Sequence, residues 1–233
     1  MVLAQWSERE VRMESLCLEV RGDYACFTRP ELKVERVSYD VMTPSAARAV
    51  FEAVLWKPAI RWDIERIAIL RPIQWASFRR NEVSSKVPTH SVQALMRLGN
   101  GSLALWADDE RQQRASVVLR DVAYRIWARP SLTEKAGAGD TLVKYFEMFR
   151  RRASKGQCVN QPYLGCREFA CHFELIEDPA SRPPAIEESR DLGIMLYDLD
   201  FTDLAAPAPL FFRASLDSGV LAVPRRDSAE VLS

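Results

Sequence analysis

The chain has 233 residues, 48% hydrophobic and 27% charged, with 32 basic against 32 acidic side chains. That composition excludes a disordered chain, a collagen-like repeat and a disulfide-dependent miniprotein, and the length buries a core in one large domain or two small ones. The zero net charge averages unlike parts: residues 1–173 carry 27 Lys and Arg against 20 Asp and Glu, residues 174–203 carry 2 against 9, and the remainder carry 3 of each.

At the N-terminus Trp6, Glu8, Arg9, Glu10 and Arg12 interrupt any apolar run, so no leader peptide is expected. Ser15 to Phe27 alternates Leu16, Leu18 and Val20 and predicts a strand, with Gly22 permitting a bulge or a close backbone approach. Thr43-Pro44-Ser45 starts a helix, because threonine caps free amides and proline at the first position loses no hydrogen bond. That helix is expected to reach about Trp56, with Ala47, Val50, Phe51 and Val54 on one face, and Lys57-Pro58 ends it. Ala59 to Ile73 reads as a long strand, bulged or bent near Arg66.

From Gln74 to Arg114 the pattern weakens around Pro88, Gly99, Asn100 and Gly101, which suggests an insertion or long hairpin with His90 in a polar loop. Ala115 to Ala128 is the next strand, and the glycines of 136–139 lead to Asp140 as a cap for a helix over 141–154. On it Leu142, Phe146, Phe149 and Ala153 form the expected buried stripe, while Lys144, Glu147 and Arg151 share an exposed one. Tyr163 to Leu175 is a closing strand or the start of a second sheet, an acidic connector follows with Pro179, Pro183 and Pro184, and apolar runs at 193–199, 210–214 and 220–223 suggest a small sheet.

Strand-helix-strand twice over is the split βαβ pattern, so the fold class is α+β. Residues 1–178 read as a ferredoxin-like domain with a long insertion near 74–114, and 179–233 as a small C-terminal antiparallel β-sheet domain. Five cysteines, an odd number, point to a reduced cytoplasmic protein, and no run of about 20 uncharged apolar residues is present to cross a membrane. The basic majority suits a polyanion.

Five blocks in order resemble one family. They are Arg21-Gly22-Asp23-Tyr24-Ala25-Cys26-Phe27-Thr28-Arg29-Pro30; Val54-Leu55-Trp56-Lys57-Pro58; Arg79-Arg80-Asn81-Glu82-Val83; Leu119-Arg120-Asp121-Val122-Ala123-Tyr124; and Gly156-Gln157-Cys158 with Tyr163-Leu164-Gly165-Cys166-Arg167-Glu168-Phe169. Together they are similar to the CRISPR-associated Cas-five family of the RAMP superfamily, in its subtype I-C (Dvulg) form. The resemblance implies an RNA-recognition-type ferredoxin-like domain. It also implies a metal-independent endoribonuclease, with no cofactor, that cuts CRISPR repeat transcripts (precursor crRNA) at the base of the repeat hairpin. Such a protein stays on the crRNA 5′ handle beside the backbone and large subunits of the type I-C surveillance complex. The alternative it leaves open is a non-catalytic scaffold subunit that holds the handle, with duplex DNA binding or a metal-dependent DNase side activity.

Metal-free RNA cleavage needs a base for the 2′-hydroxyl, a cation for the phosphorane and an acid for the leaving 5′-oxygen. The family site uses a tyrosine, a lysine and a histidine, the last two adjacent at the start of the second helix. Here Lys144 keeps the cation, Tyr145 stands at the histidine position, and a shift of one residue would put Phe146 there. Leu55 stands at the tyrosine position. Lys144 and Tyr145 are therefore the catalytic candidates, with Tyr24, Tyr163 and His90 as further acid–base candidates. Without the resemblance Lys144 is a solvated lysine paired with Glu147, and Tyr145 a packing residue. Arg79, Arg80, Lys86, Arg120, Arg150, Arg151, Arg152 and Lys155 are the phosphate-binding candidates. Trp62, Trp75, Phe78 and Trp106 could stack on bases or fill core. Cys158, Cys166, Cys171 and His172 fit no zinc spacing, since Cys171 and His172 point to opposite faces of a strand.

Overall fold

A computed structural model describes residues 15–233, so the segment read against a leader peptide lies outside the described residues. β1 (Leu16–Ala25) buries Leu16, Leu18 and Val20 on one face. Its Gly22 lies where an added Cβ would be 2.8 Å from the Leu164 side chain, which is the close approach expected of it. α1 (Pro44–Val54) is capped by Thr43, whose Oγ1 accepts from the Ala46 amide at 3.3 Å. It stops two residues short of Trp56 because Leu55 is already extended, and Lys57-Pro58 follows.

β2 (Ile60–Ile69) first buries Ile60, Trp62 and Ile64, then Ile67 and Ile69. The parity changes because its register with β4 slips between Ile64 and Arg66, so the bulge at Glu65 keeps both apolar sets on one face. β3 (Gln74–Val83) and the first half of β4 (Arg111–Leu132) pair over ten residues as an arm. Between them α2 (Thr89–Leu98) replaces the loop expected there, and His90 lies in its first turn. No α2 residue is buried, although Val92, Leu95 and Met96 recur at helical spacing, so its apolar side is left without a packing partner among the described residues.

α3 (Leu142–Ala153) is capped by Thr141, whose Oγ1 accepts from the Lys144 amide, leaving Asp140 one residue outside. Its buried residues are Tyr145, Phe149 and Ala153, while Leu142 and Phe146 are only partly covered. The expected stripe omitted Tyr145, which can be buried because its hydroxyl finds a partner. β5 (His172–Leu175) is shorter than expected, as Tyr163 and Ala170 make only an isolated bridge. β6 (Arg190–Asp200), β7 (Ala208–Asp217), β8 (Val220–Ala222) and β9 (Val231–Leu232) complete the chain.

The fold is α+β around a mainly antiparallel sheet ordered β5-β1-β4-β2-β8-β7-β6, with β3 on β4 and β9 on β7. The C-terminal strands join through Arg66–Ala68 of β2 paired with Val220–Ala222 of β8. On one face Phe51 of α1 stacks on Phe149 of α3 at 5.0 Å, and Trp62 meets them at 5.3 and 4.6 Å. Trp62 is thus a core residue, its Nε1 donating to the Leu55 carbonyl at 2.8 Å.

The opposite face is crossed by the acidic connector. That segment leaves β5 with Ile176 donating to Cys17 of β1, and it reaches the end of β2 with Ile186 donating to Ile69. Midway, Arg125 of β4 donates to the Pro183 carbonyl and to Glu19, both at 3.1 Å. Cys17, Ala68, Ala123 and Ile176 are buried there. All five cysteines are unpaired thiols, and no described helix is long and apolar enough to cross a membrane.

Candidate active site and phosphate-binding surface

The tight turn before α3 builds a three-residue cluster. The Gly137 amide donates to Asp140 Oδ2 at 3.0 Å, fixing the carboxylate over the first helical turn. Lys144 Nζ then lies 3.1 Å from Asp140 Oδ1, 3.3 Å from the Gly139 carbonyl and 5.2 Å from the centre of the Tyr145 ring. The Tyr145 hydroxyl donates to the same carboxylate. Lys144 pairs with Asp140 rather than with Glu147, which lies 3.9 Å from Arg150 instead.

This arrangement sets the protonation states. The Tyr145 hydroxyl, then the Gly137 amide and Lys144, push the Asp140 carboxyl down to about 2. The same bond, with burial and the Asp140 charge, raises the Tyr145 phenol above its ordinary value. At neutral pH the cluster therefore offers an ionised carboxylate, a neutral phenol committed as a donor, and an exposed ammonium. Leu55, where the family pattern has a tyrosine, is fully buried.

The remaining acid–base candidates do not join this cluster through any hydrogen bond. Tyr24 packs against Phe78 and Phe169 at 6.1 and 5.9 Å, Tyr163 lines a groove beside Trp56, and His90 is on α2 in the arm. Among the cations, Arg80 is tied to Glu168 and Glu82 within a network that also includes Arg36 and Arg114. Arg150 pairs with Glu177 at 3.1 Å. Arg152 donates to the Val54 carbonyl, linking the ends of α3 and α1. Arg79, Lys86, Arg120, Arg151 and Lys155 form no ion pair among the described residues and are exposed. Trp75 and Trp106 are exposed on the arm, whereas Phe78 is half-buried. Among the described residues no three His, Cys, Asp or Glu side chains converge; Cys171 is buried and His172 exposed.

Asp140 was not legible as a partner of the two candidates, since its spacing from the helix reads as a cap. Its i, i+4 and i, i+5 relation to Lys144 and Tyr145 was the available signal.

A family model described as CRISPR-associated protein (Cas_Cas5), with the name Cas_Cas5d, matches residues 15–224. The CRISPR pre-crRNA endoribonuclease Cas5d of Mannheimia succiniciproducens is 51% identical over 219 residues, covering 92% of this chain and 96% of that protein. The protein of the same name from Thermus thermophilus is 40% identical over 236 residues, covering 94% and 95%. A solved structure described as a CRISPR-associated protein shares the fold with a TM-score of 0.67 at 19% identity, over 94% of this chain and 96% of that one.

Proposed function

The chain belongs to the CRISPR-associated Cas5 family, in its Cas5d branch, and from that premise we propose that it is the endoribonuclease that cuts precursor crRNA at the base of the repeat hairpin. The observation that carries this reading is the family match over residues 15–224 together with an exposed lysine at the start of α3.

In this reading the 2′-oxygen attacks phosphorus and the 5′-oxygen leaves, with no metal taking part. Lys144 stands against the phosphorane charge, held by Asp140 so that no side-chain reorganisation is needed as that charge develops. Tyr145 is a neutral donor and Asp140 a weak proton acceptor, so neither takes the 2′-proton at neutral pH. Hydroxide from solvent takes it, a water molecule gives its proton to the leaving 5′-oxygen and so restores the hydroxide, and the protein contributes binding, orientation and charge. The test is single-turnover cleavage of the cognate repeat hairpin in EDTA. One cut at the hairpin's 3′ base, a rate rising with pH from 6 to 9, and a loss of about 10²-fold or more in Lys144→Ala are expected. No cut, or undiminished cutting by Lys144→Ala, refutes the assignment.

The ferredoxin-like reading of residues 1–178 rests on the antiparallel order β5-β1-β4-β2 with α1 and α3 on one face. Residues 179–233 are then a C-terminal sheet added at the β2 edge. The 5′ handle, the other subunits of the surveillance complex and a cytoplasmic location come with the same proposal. A second reading, a scaffold that holds the handle without cutting, is favoured by the burial of Leu55 and by Tyr145 in the histidine's place. Tight hairpin binding with intact RNA would select it.

A further inference from the structure

We infer that the groove between the end of α1 and the loop after α3 takes one unpaired nucleobase of the RNA, stacked on Trp56. This rests on the RNA-processing reading and adds a subsite to it. The groove encloses about 350 Å³, at the small end of the range of ligand sites, and its walls include Trp56, Tyr163, Ala53 and Val159. Trp56 is 59% exposed immediately after a fully buried Leu55, and Tyr163 is 39% exposed. Two aromatic side chains in one groove therefore leave a substantial part of their surface in water.

The groove is built before any ligand arrives. The Val159 amide donates to the Ala53 carbonyl at 2.7 Å, Arg152 donates to the Val54 carbonyl at 3.1 Å, and Gln161 Nε2 donates to the Cys171 carbonyl at 2.9 Å. Little ordering remains to be done on binding. The charge identifies the occupant. Lys57 follows Trp56 directly, Arg151 and Lys155 lie on the segment leading into the loop, and none of the three has an ion pair among the described residues. Glu52, the one acidic group lining the groove, is committed to Arg48 at 2.7 Å. Asn160 keeps a side-chain amide with no partner among the described residues, a donor and acceptor suited to a base edge. An aromatic platform with one free amide, and with unpaired cations on the chain segments that lead into its walls, matches a base on a phosphate backbone; an apolar peptide would leave the cations unexplained.

The test uses the full chain and its repeat RNA carrying 5-iodouridine at each unpaired pyrimidine in turn, with photocrosslinks mapped by mass spectrometry. A crosslink to Trp56 or Tyr163 is expected. Trp56→Ala should remove it and weaken binding about tenfold, while Trp56→Phe keeps most of the affinity. The exposure of Trp56 makes both variants fold, which circular dichroism checks. Crosslinks confined to Trp75, Trp106 or other residues, with Trp56→Ala binding like the unaltered protein, overturn this inference and leave the nuclease reading intact. An unaltered protein that binds no repeat RNA overturns both.

Discussion

Arg125→Met should destabilise the protein by about 3–5 kcal/mol, the cost of removing one partner from a buried ion pair. The Arg125 side chain is 5% exposed and Glu19 17%, with Nη2 3.1 Å from the carboxylate. Methionine fills much of the volume but leaves Glu19 without its cation, and it leaves the Pro183 carbonyl without a donor, worth about 1–3 kcal/mol if no water replaces it. The partial exposure of Glu19 lets water reach it, which places the total nearer the lower bound. Urea unfolding at pH 7 measures the loss, and limited proteolysis of the connector reports whether the chain lifts from the sheet. Glu19→Leu combined with Arg125→Met should recover a large part of the stability, since no uncompensated charge remains. Arg21→Ala is the control: this arginine is 54% exposed and 3.8 Å from Glu174, so less than about 1 kcal/mol is expected. An Arg125→Met protein within about 1 kcal/mol of the original, with its connector equally protected, would refute the argument.

Further outcomes follow from local geometry at the start of α3 and in the loop after it. Because the Asp140 carboxyl is depressed to about 2 from a reference of 3.8, its contribution to stability is complete above the reference value and disappears as pH falls toward 2. Thermal unfolding followed from pH 5 to pH 2 should therefore show a steeper acid loss in the original protein than in Asp140→Asn; identical slopes would refute the assignment. Gly165→Ala should cost at least about 1–3 kcal/mol, since φ is +82° and the added Cβ would sit 2.0 Å from the Cys26 carbonyl. Gly139→Ala, with nothing within 4 Å of the added Cβ, should unfold like the original in the same denaturant titration.

What the sequence made legible was local. Thr43 and Pro44 marked the start of α1 because capping acts within one turn, and the parity change from Ile64 to Ile67 exposed the β2 bulge. The start of α3 was off by one because both Asp140 and Thr141 can cap, and only the backbone decides which hydroxyl or carboxylate meets the Lys144 amide. α2 places Val92, Leu95 and Met96 at helical spacing, but Pro88 and Gly99-Asn100-Gly101 on either side favoured a loop reading, and none of its residues is buried. Lys144 and Tyr145 were readable as candidates through the family resemblance. What joins them, the Asp140 carboxylate, depends on how the 136–140 turn closes. The basic candidates looked uniform in sequence; long-range pairs with Glu168 and Glu177 separate Arg80 and Arg150 from the unpaired cations.

β4 has a mechanical consequence. Its 22 residues, roughly 70 Å at the usual rise, run from the arm into the core. Leu119 and Arg120 are clamped on both sides, by Ala25 and Tyr24 of β1 and by Trp75 and Gln74 of β3. Just beyond them Asp121 takes a left-handed φ of 53° and pairs with Arg71, where the neighbour of β4 changes from β2 to β3. The arm is thus a cantilever with its root in Tyr124 and Ile126, and it cannot swing without breaking ladder bonds on both flanks. A load on its tip reaches the body through β4 and through the pairs that tie Arg80 to Glu168 and Glu82 to Arg36, so whatever grips the arm also orients the sheet behind it.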